Sequence, residues 1–111
     1  MIRETIGRYD EWWSCALLVV ELRRLARREG LAEQAERLLS TINLTSVDAA
    51  ALTRAAQLDP VEVRTLDAIH LDAAIQLRSR SAIDAVLTYD EQLQSGCVHH
   101  DLPVEAPAIG R

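Results

Sequence analysis

An α/β domain, with a mostly parallel sheet flanked by helices, is what the sequence predicts, and three observations lead to it. The chain has 111 residues, the size of a single domain. Short apolar segments of strand character alternate along it with stretches of helical periodicity, the pattern of strands joined through helices. Hydrophobic residues make up 49% and charged residues 26%, with four glycines and three prolines, a balance that excludes disordered, collagenous and low-complexity chains. No internal repeat or linker interrupts the pattern, so residues 1–111 are read as one domain.

Trp12-Trp13-Ser14 reads as the end of a strand, with Ser14 a candidate N-cap for the helix that follows. Leu18, Leu22, Leu25 and Ala26 recur at three- and four-residue steps and predict a helix over residues 16–29, broken at Gly30. Leu31, Ala35, Leu38 and Leu39 begin a second amphipathic helix that ends near Thr41. Ile42-Asn43-Leu44-Thr45 is a brief strand. Residues 48–58 are alanine-rich and helical, stopped by Asp59-Pro60 because proline disfavours a helical residue before it. Thr65 is a candidate N-cap for a helix over residues 66–78, the most apolar of the chain. Residues 82–88 (AIDAVLT) predict a mostly buried strand, followed by a short helix up to Gly96. Pro103-Val104-Glu105-Ala106-Pro107 is a candidate last edge strand.

Charge and cysteine usage narrow the function. Seventeen acids against twelve arginines, with no lysine, give a net charge of −5. Grip on nucleic acid by counterion release alone would call for a basic chain. A cation-bridged contact with phosphate stays open, because a bound cation reverses the local sign. The longest apolar run, residues 15–20, falls far short of the roughly 18 residues of a membrane span. The first residues carry acid and no apolar signal region. Cys15 and Cys97 make no disulfide framework. These features predict a soluble intracellular protein without a membrane partner.

Acids on apolar faces are the informative ones. Glu21 shares a helix side with Leu17, Leu18 and Leu25, although a surface pair with Arg24 would also account for it. Asp67 falls within about 40° of Leu71 and Ala74 and about 60° of His70. Asp72 and Gln76 mark the far, solvent side of that helix. A carboxylate amid an apolar face is costly unless paired or metal-bound, while helix-dipole compensation explains its place along the helix but not its facing. Asp90 ends the apolar strand, where ligands of open α/β sheets bind, yet Asp is equally a preferred N-cap for the helix after it. A cluster of such carboxylates repels itself and favours hard divalent cations such as Mg²⁺ or Mn²⁺. His70 reads more readily as a core histidine with a satisfied ring than as a ligand. Cys97, His99 and His100 lack a second ligand pair at zinc spacing and read as a solvated loop after Gly96. Arg23, Arg24, Arg27 and Arg28 form a basic helix face, solvated by default and able to guide RNA.

Ser14-Cys15-Ala16-Leu17-Leu18-Val19-Val20-Glu21-Leu22-Arg23-Arg24 resembles the second acidic motif of PIN-domain ribonucleases. Arg64-Thr65-Leu66-Asp67-Ala68-Ile69-His70-Leu71 resembles their third, and Val86-Leu87-Thr88-Tyr89-Asp90-Glu91-Gln92-Leu93 their fourth. The likeness is greatest to VapC toxins of bacterial toxin–antitoxin pairs and runs from about Trp12 to Ala106. It implies a Mg²⁺- or Mn²⁺-dependent endoribonuclease in the cytoplasm, with Glu21, Asp67 and Asp90 as catalytic, metal-binding acids. It also implies RNA as substrate and a cognate antitoxin as partner, and a homodimer is expected as well.

The family opens with a strand carrying Asp, then Thr or Ser, Ser and Ala, and no such segment precedes Glu21. Asp10 is followed by Glu11-Trp12 and is no counterpart. The expectation is therefore a PIN-like domain without its first, central strand and first acid, with apolar sheet edges exposed and cleavage impaired. The alternative is an inactive remnant that binds antitoxin or dimerises as a regulatory module. Asp72 stands where the family more often has a small residue and is expected to face solvent.

Overall fold

Residues 2–6, 9–88 and 90–105 are described by the computed structural model, with side chains from Glu11 onward. Their elements run β1 (Ile2–Ile6), β2 (Tyr9–Cys15), α1 (Leu17–Glu29), α2 (Ala32–Leu39), β3 (Ile42–Thr45), α3 (Ala49–Ala56), α4 (Thr65–Ser79), β4 (Ala85–Leu87), α5 (Glu91–His99) and β5 (Val104–Glu105). The strands form one sheet in the order β3-β2-β1-β4-β5. β2 pairs with β3, and β4 with β5, in parallel, while β1 runs antiparallel to both of its neighbours, β2 and β4. The α/β class stands. The expected open centre is filled, because Ile2–Ile6 forms a hairpin with β2 and closes the gap to β4.

Helix α1 ends where Gly30 takes a left-handed conformation (φ 69°) and donates its N–H to the Ala26 carbonyl, the usual glycine C-cap. The chain then turns back as α2, and an exposed two-pronged Arg23–Glu36 pair at 3.0 and 2.8 Å ties the two helices. Asp48 caps α3 by accepting the Ala51 N–H at 2.8 Å. Against expectation, Ser14 is no cap. It lies inside β2, its hydroxyl buried without a hydrogen-bond partner among the described residues, and α1 begins after Ala16 with no side-chain cap. Thr65 is likewise the first helical residue of α4 rather than its cap, which is the extended Arg64.

The core is built on α4. Leu71, Ala74 and Leu77 pack with Cys15, Ile83, Val86, Leu93 and Cys97, and Leu71 is wholly buried. Asp72 corrects the sequence reading. It is 3% exposed, because α3 covers the side of α4 taken for solvent and brings Arg54 Nε to 2.9 Å from its carboxylate. Gly96 does not end α5 either. The helix continues through His99, and Cys97 packs in the core instead of a solvated loop. A Cβ at Gly96 would stand 2.9 Å from Leu71 Cδ2, so the missing side chain lets α5 approach α4. The last strand is Val104–Glu105 at the sheet edge, and Ala106 and Pro107 lie outside the described residues.

Candidate active site

The carboxyl end of β4 sets the position of Asp90. Thr88 Oγ1 accepts the Asp90 N–H at 3.0 Å, and the Gln94 amide donates to the Thr88 carbonyl at 2.9 Å. Asp90 then caps α5, one carboxylate oxygen accepting the N–H groups of Gln92 and Leu93 at 2.9 and 3.0 Å. Those backbone donors, led by Leu93, and the Arg64 guanidinium hold its carboxyl below the usual range. The cap reading of Asp90 is thus realised, and its second oxygen is left to face Arg64 at 2.7 Å.

Asp67 stands in the first turn of α4 and is mostly buried. Arg64 Nε lies 3.6 Å from it, so one guanidinium bridges the acids at the starts of α4 and α5. Burial pushes the Asp67 carboxyl up, the neighbouring Asp90 charge adds to this, and Arg64 and His70 oppose it. Glu21 on α1 pairs with His70 rather than with Arg24, His70 Nε2 lying 2.7 Å from Glu21 Oε1. The other ring nitrogen, Nδ1, lies 3.2 Å from Cys15 Sγ. Burial opposes protonation of His70, but the Cys15 and Glu21 contacts outweigh it and raise its pKa.

The structure therefore joins Asp67 to Asp90 through Arg64 and Glu21 to α4 through His70, one turn beyond Asp67. Asp67 feels the charges of both Asp90 and Glu21. Among the described residues no group of three His, Cys, Asp or Glu side chains is arranged to hold one ion. Cys97 takes no part in such a group; burial pushes its thiol up to about 11. His100 Nε2 lies 2.6 Å from the Asp59 carbonyl, and the His99 ring stacks edge-on against it. A cavity of about 340 Å³ beside Trp13, Asp48, Arg54 and Asp72 contains none of the three acids.

Two participants escaped the sequence reading. Arg64 carried a signal, three residues before Asp67 at ion-pair spacing. Cys15 carried none beyond its place at a strand end.

The sequence over residues 2–97 matches the PIN domain. The chain belongs to the PIN-domain family. Ribonuclease VapC47 of Mycobacterium tuberculosis (strain CDC 1551 / Oshkosh) is 38% identical over 81 residues, covering 70% of this PIN chain and 58% of that relative. Ribonuclease VapC35 of the same species, in strains CDC 1551 / Oshkosh and ATCC 25618 / H37Rv, is 34% identical over 103 residues, covering 90% of this chain and 76% of the relative. The chain thus spans 58% of the first relative's length, short of two thirds. No solved structure matches it significantly. Among the described residues no helix is long and apolar enough to cross a membrane.

Proposed function

We propose that this PIN domain is a VapC-type endoribonuclease that hydrolyses RNA phosphodiester bonds with Mg²⁺ or Mn²⁺ held by Asp67, Asp90 and Glu21. The observation that carries the reading is the Asp67–Asp90 pair at the starts of α4 and α5, with a guanidinium between the two carboxylates. The donor set fits the ion: these are hard oxygen ligands, and Mg²⁺ is commonly held by one or two carboxylates together with substrate phosphate. When bound, a divalent cation supplies an activated water and charge stabilisation at the phosphate. Asp67 and Asp90 are the primary ligands, and Glu21 completes the set from α1. Arg64 gives up its place between the acids and, with three exposed arginines of α1 (Arg24, Arg27 and Arg28), faces the RNA backbone.

Turnover is slow in this reading. The described acids form a pair and an outlier rather than a three-carboxylate group. A ligand set held loosely costs rate steeply, about a hundredfold for small misplacements. The cognate antitoxin and a second copy of the chain are the proposed partners, and the cytoplasm is the proposed compartment. One observation favours the second reading, a non-cleaving regulatory module that binds antitoxin: Arg64 already neutralises the acids. The deciding assay incubates the 111-residue chain with RNA and Mg²⁺. Slow, chelator-sensitive cleavage that disappears in Asp67→Asn supports the enzyme. Cleavage that survives both chelator and Asp67→Asn contradicts it, and no cleavage with retained antitoxin binding favours the module.

A further inference from the structure

Cys15 closes β2 and is 1% exposed. Its Sγ lies 3.2 Å from His70 Nδ1, and His70 Nε2 lies 2.7 Å from Glu21 Oε1. In this file of side chains α4 meets β2 and α1, consecutive elements that lie far from it in sequence. An ionised carboxylate only accepts, so His70 Nε2 carries a proton and donates it to Glu21. The other ring nitrogen, Nδ1, faces the Cys15 sulfur, so the ring is tied at both ends.

We propose that Cys15 and His70 are positioning residues for Glu21. The buried sulfur fixes the orientation of the ring, and the ring holds one Glu21 oxygen in place for the divalent cation. Glu21 needs such an anchor. Its side chain is 41% exposed at the end of a flexible stem, whereas the ring that grips it is 17% exposed and held against Cys15 of β2. A hydrogen bond from an outer group to a metal-binding carboxylate both orients it and tunes it, and losing such a partner typically lowers metal affinity about 10–100-fold. The inference rests on the reading of Glu21 as a cation ligand.

The test titrates Mn²⁺ alone into the full chain by calorimetry. His70→Leu is expected to weaken Mn²⁺ binding about tenfold or more. His70→Gln, whose amide N–H reaches the Nε2 position, restores most of it. Cys15→Ala lowers the affinity, and Cys15→Ser, which keeps a polar atom facing Nδ1, retains it. Metal-free melts check that each variant folds, and Cys15→Ala against Cys15→Ser carries the test if His70→Leu does not fold. Equal Mn²⁺ affinity in wild type and His70→Leu overturns the proposal, as does equal affinity in wild type and Cys15→Ala. Glu21→Gln separates the failures. If it weakens binding while His70→Leu does not, the positioning role alone is wrong; if it changes nothing, Glu21 is not a ligand and both readings fall.

Discussion

Arg64 is the cation the site already holds, and replacing it with glutamine should make divalent metal bind more tightly. The guanidinium stands 2.7 Å from Asp90 and 3.6 Å from Asp67. It is 68% exposed, so solvent-like screening applies. At such separations a unit-charge contact is worth about 1 kcal/mol in water, the upper end of what exposed ion pairs contribute. Two contacts therefore oppose an incoming cation by about 1–2 kcal/mol, close to tenfold in Kd. Calorimetry with Mn²⁺ on wild type and Arg64→Gln should show that gain. The metal-free fold should lose only a fraction of it, since one exposed pair is typically worth about 0.2–1 kcal/mol. Without Arg64, the Asp67 carboxyl should titrate still higher, because the stronger of the two charges that restrain it is gone. Equal or weaker Mn²⁺ binding in Arg64→Gln would refute the competition and make Arg64 a support for the ligands instead.

Two further outcomes follow from packing and charge. Gly96→Ala should lower the melting temperature: helix propensity favours Ala by about 1 kcal/mol, but overpacking a core costs about 1–3 kcal/mol, and the new Cβ meets Leu71 Cδ2 at 2.9 Å where Leu71 has no room to move. A raised melting temperature contradicts that packing. The Asp90 carboxyl is held low in the folded chain, so its stabilisation is present above the ordinary carboxylate range and is lost as pH falls below about 4 toward its depressed value. Asp67, held high, acts oppositely, and the metal-free fold gains from its protonation as pH falls through its raised value. Urea titrations across acid pH should show the Asp90→Asn deficit closing on acidification; a constant deficit places the Asp90 interaction outside the ionised form.

Periodicity made the helices legible. The pattern of Leu18, Leu22, Leu25 and Ala26 and the stop at Gly30 bound α1 to within a residue, and Ile42–Thr45 matched its strand. Caps were harder to read, because Ser14 and Thr65 have the right chemistry but strand pairing and Arg64 took their places. Asp72 was misjudged because a helix wheel shows which residues share a face but not which neighbour covers it, and α3 does so here. The antiparallel β1 was likewise hidden, since strand direction depends on pairing partners rather than on local pattern. Asp67 and Asp90 stood out as candidates from an apolar face and a strand end. The Arg64–Asp90 half of their bridge and the contacts of His70 with Cys15 and Glu21 join residues 26 to 55 apart in sequence, beyond the reach of local pattern.

The central claim is that Asp67 and its neighbours form a divalent-cation site, and a paired thermal melt tests it most directly. Wild type and Asp67→Asn are melted with Mn²⁺ at about a hundred times Kd and again with chelator. Binding to the native state alone adds about 2.7 kcal/mol under those conditions, roughly 10 °C for a domain of this size. A shift of that order in wild type, absent in Asp67→Asn, is the predicted result. An equal shift in both proteins, or none in either, contradicts the account.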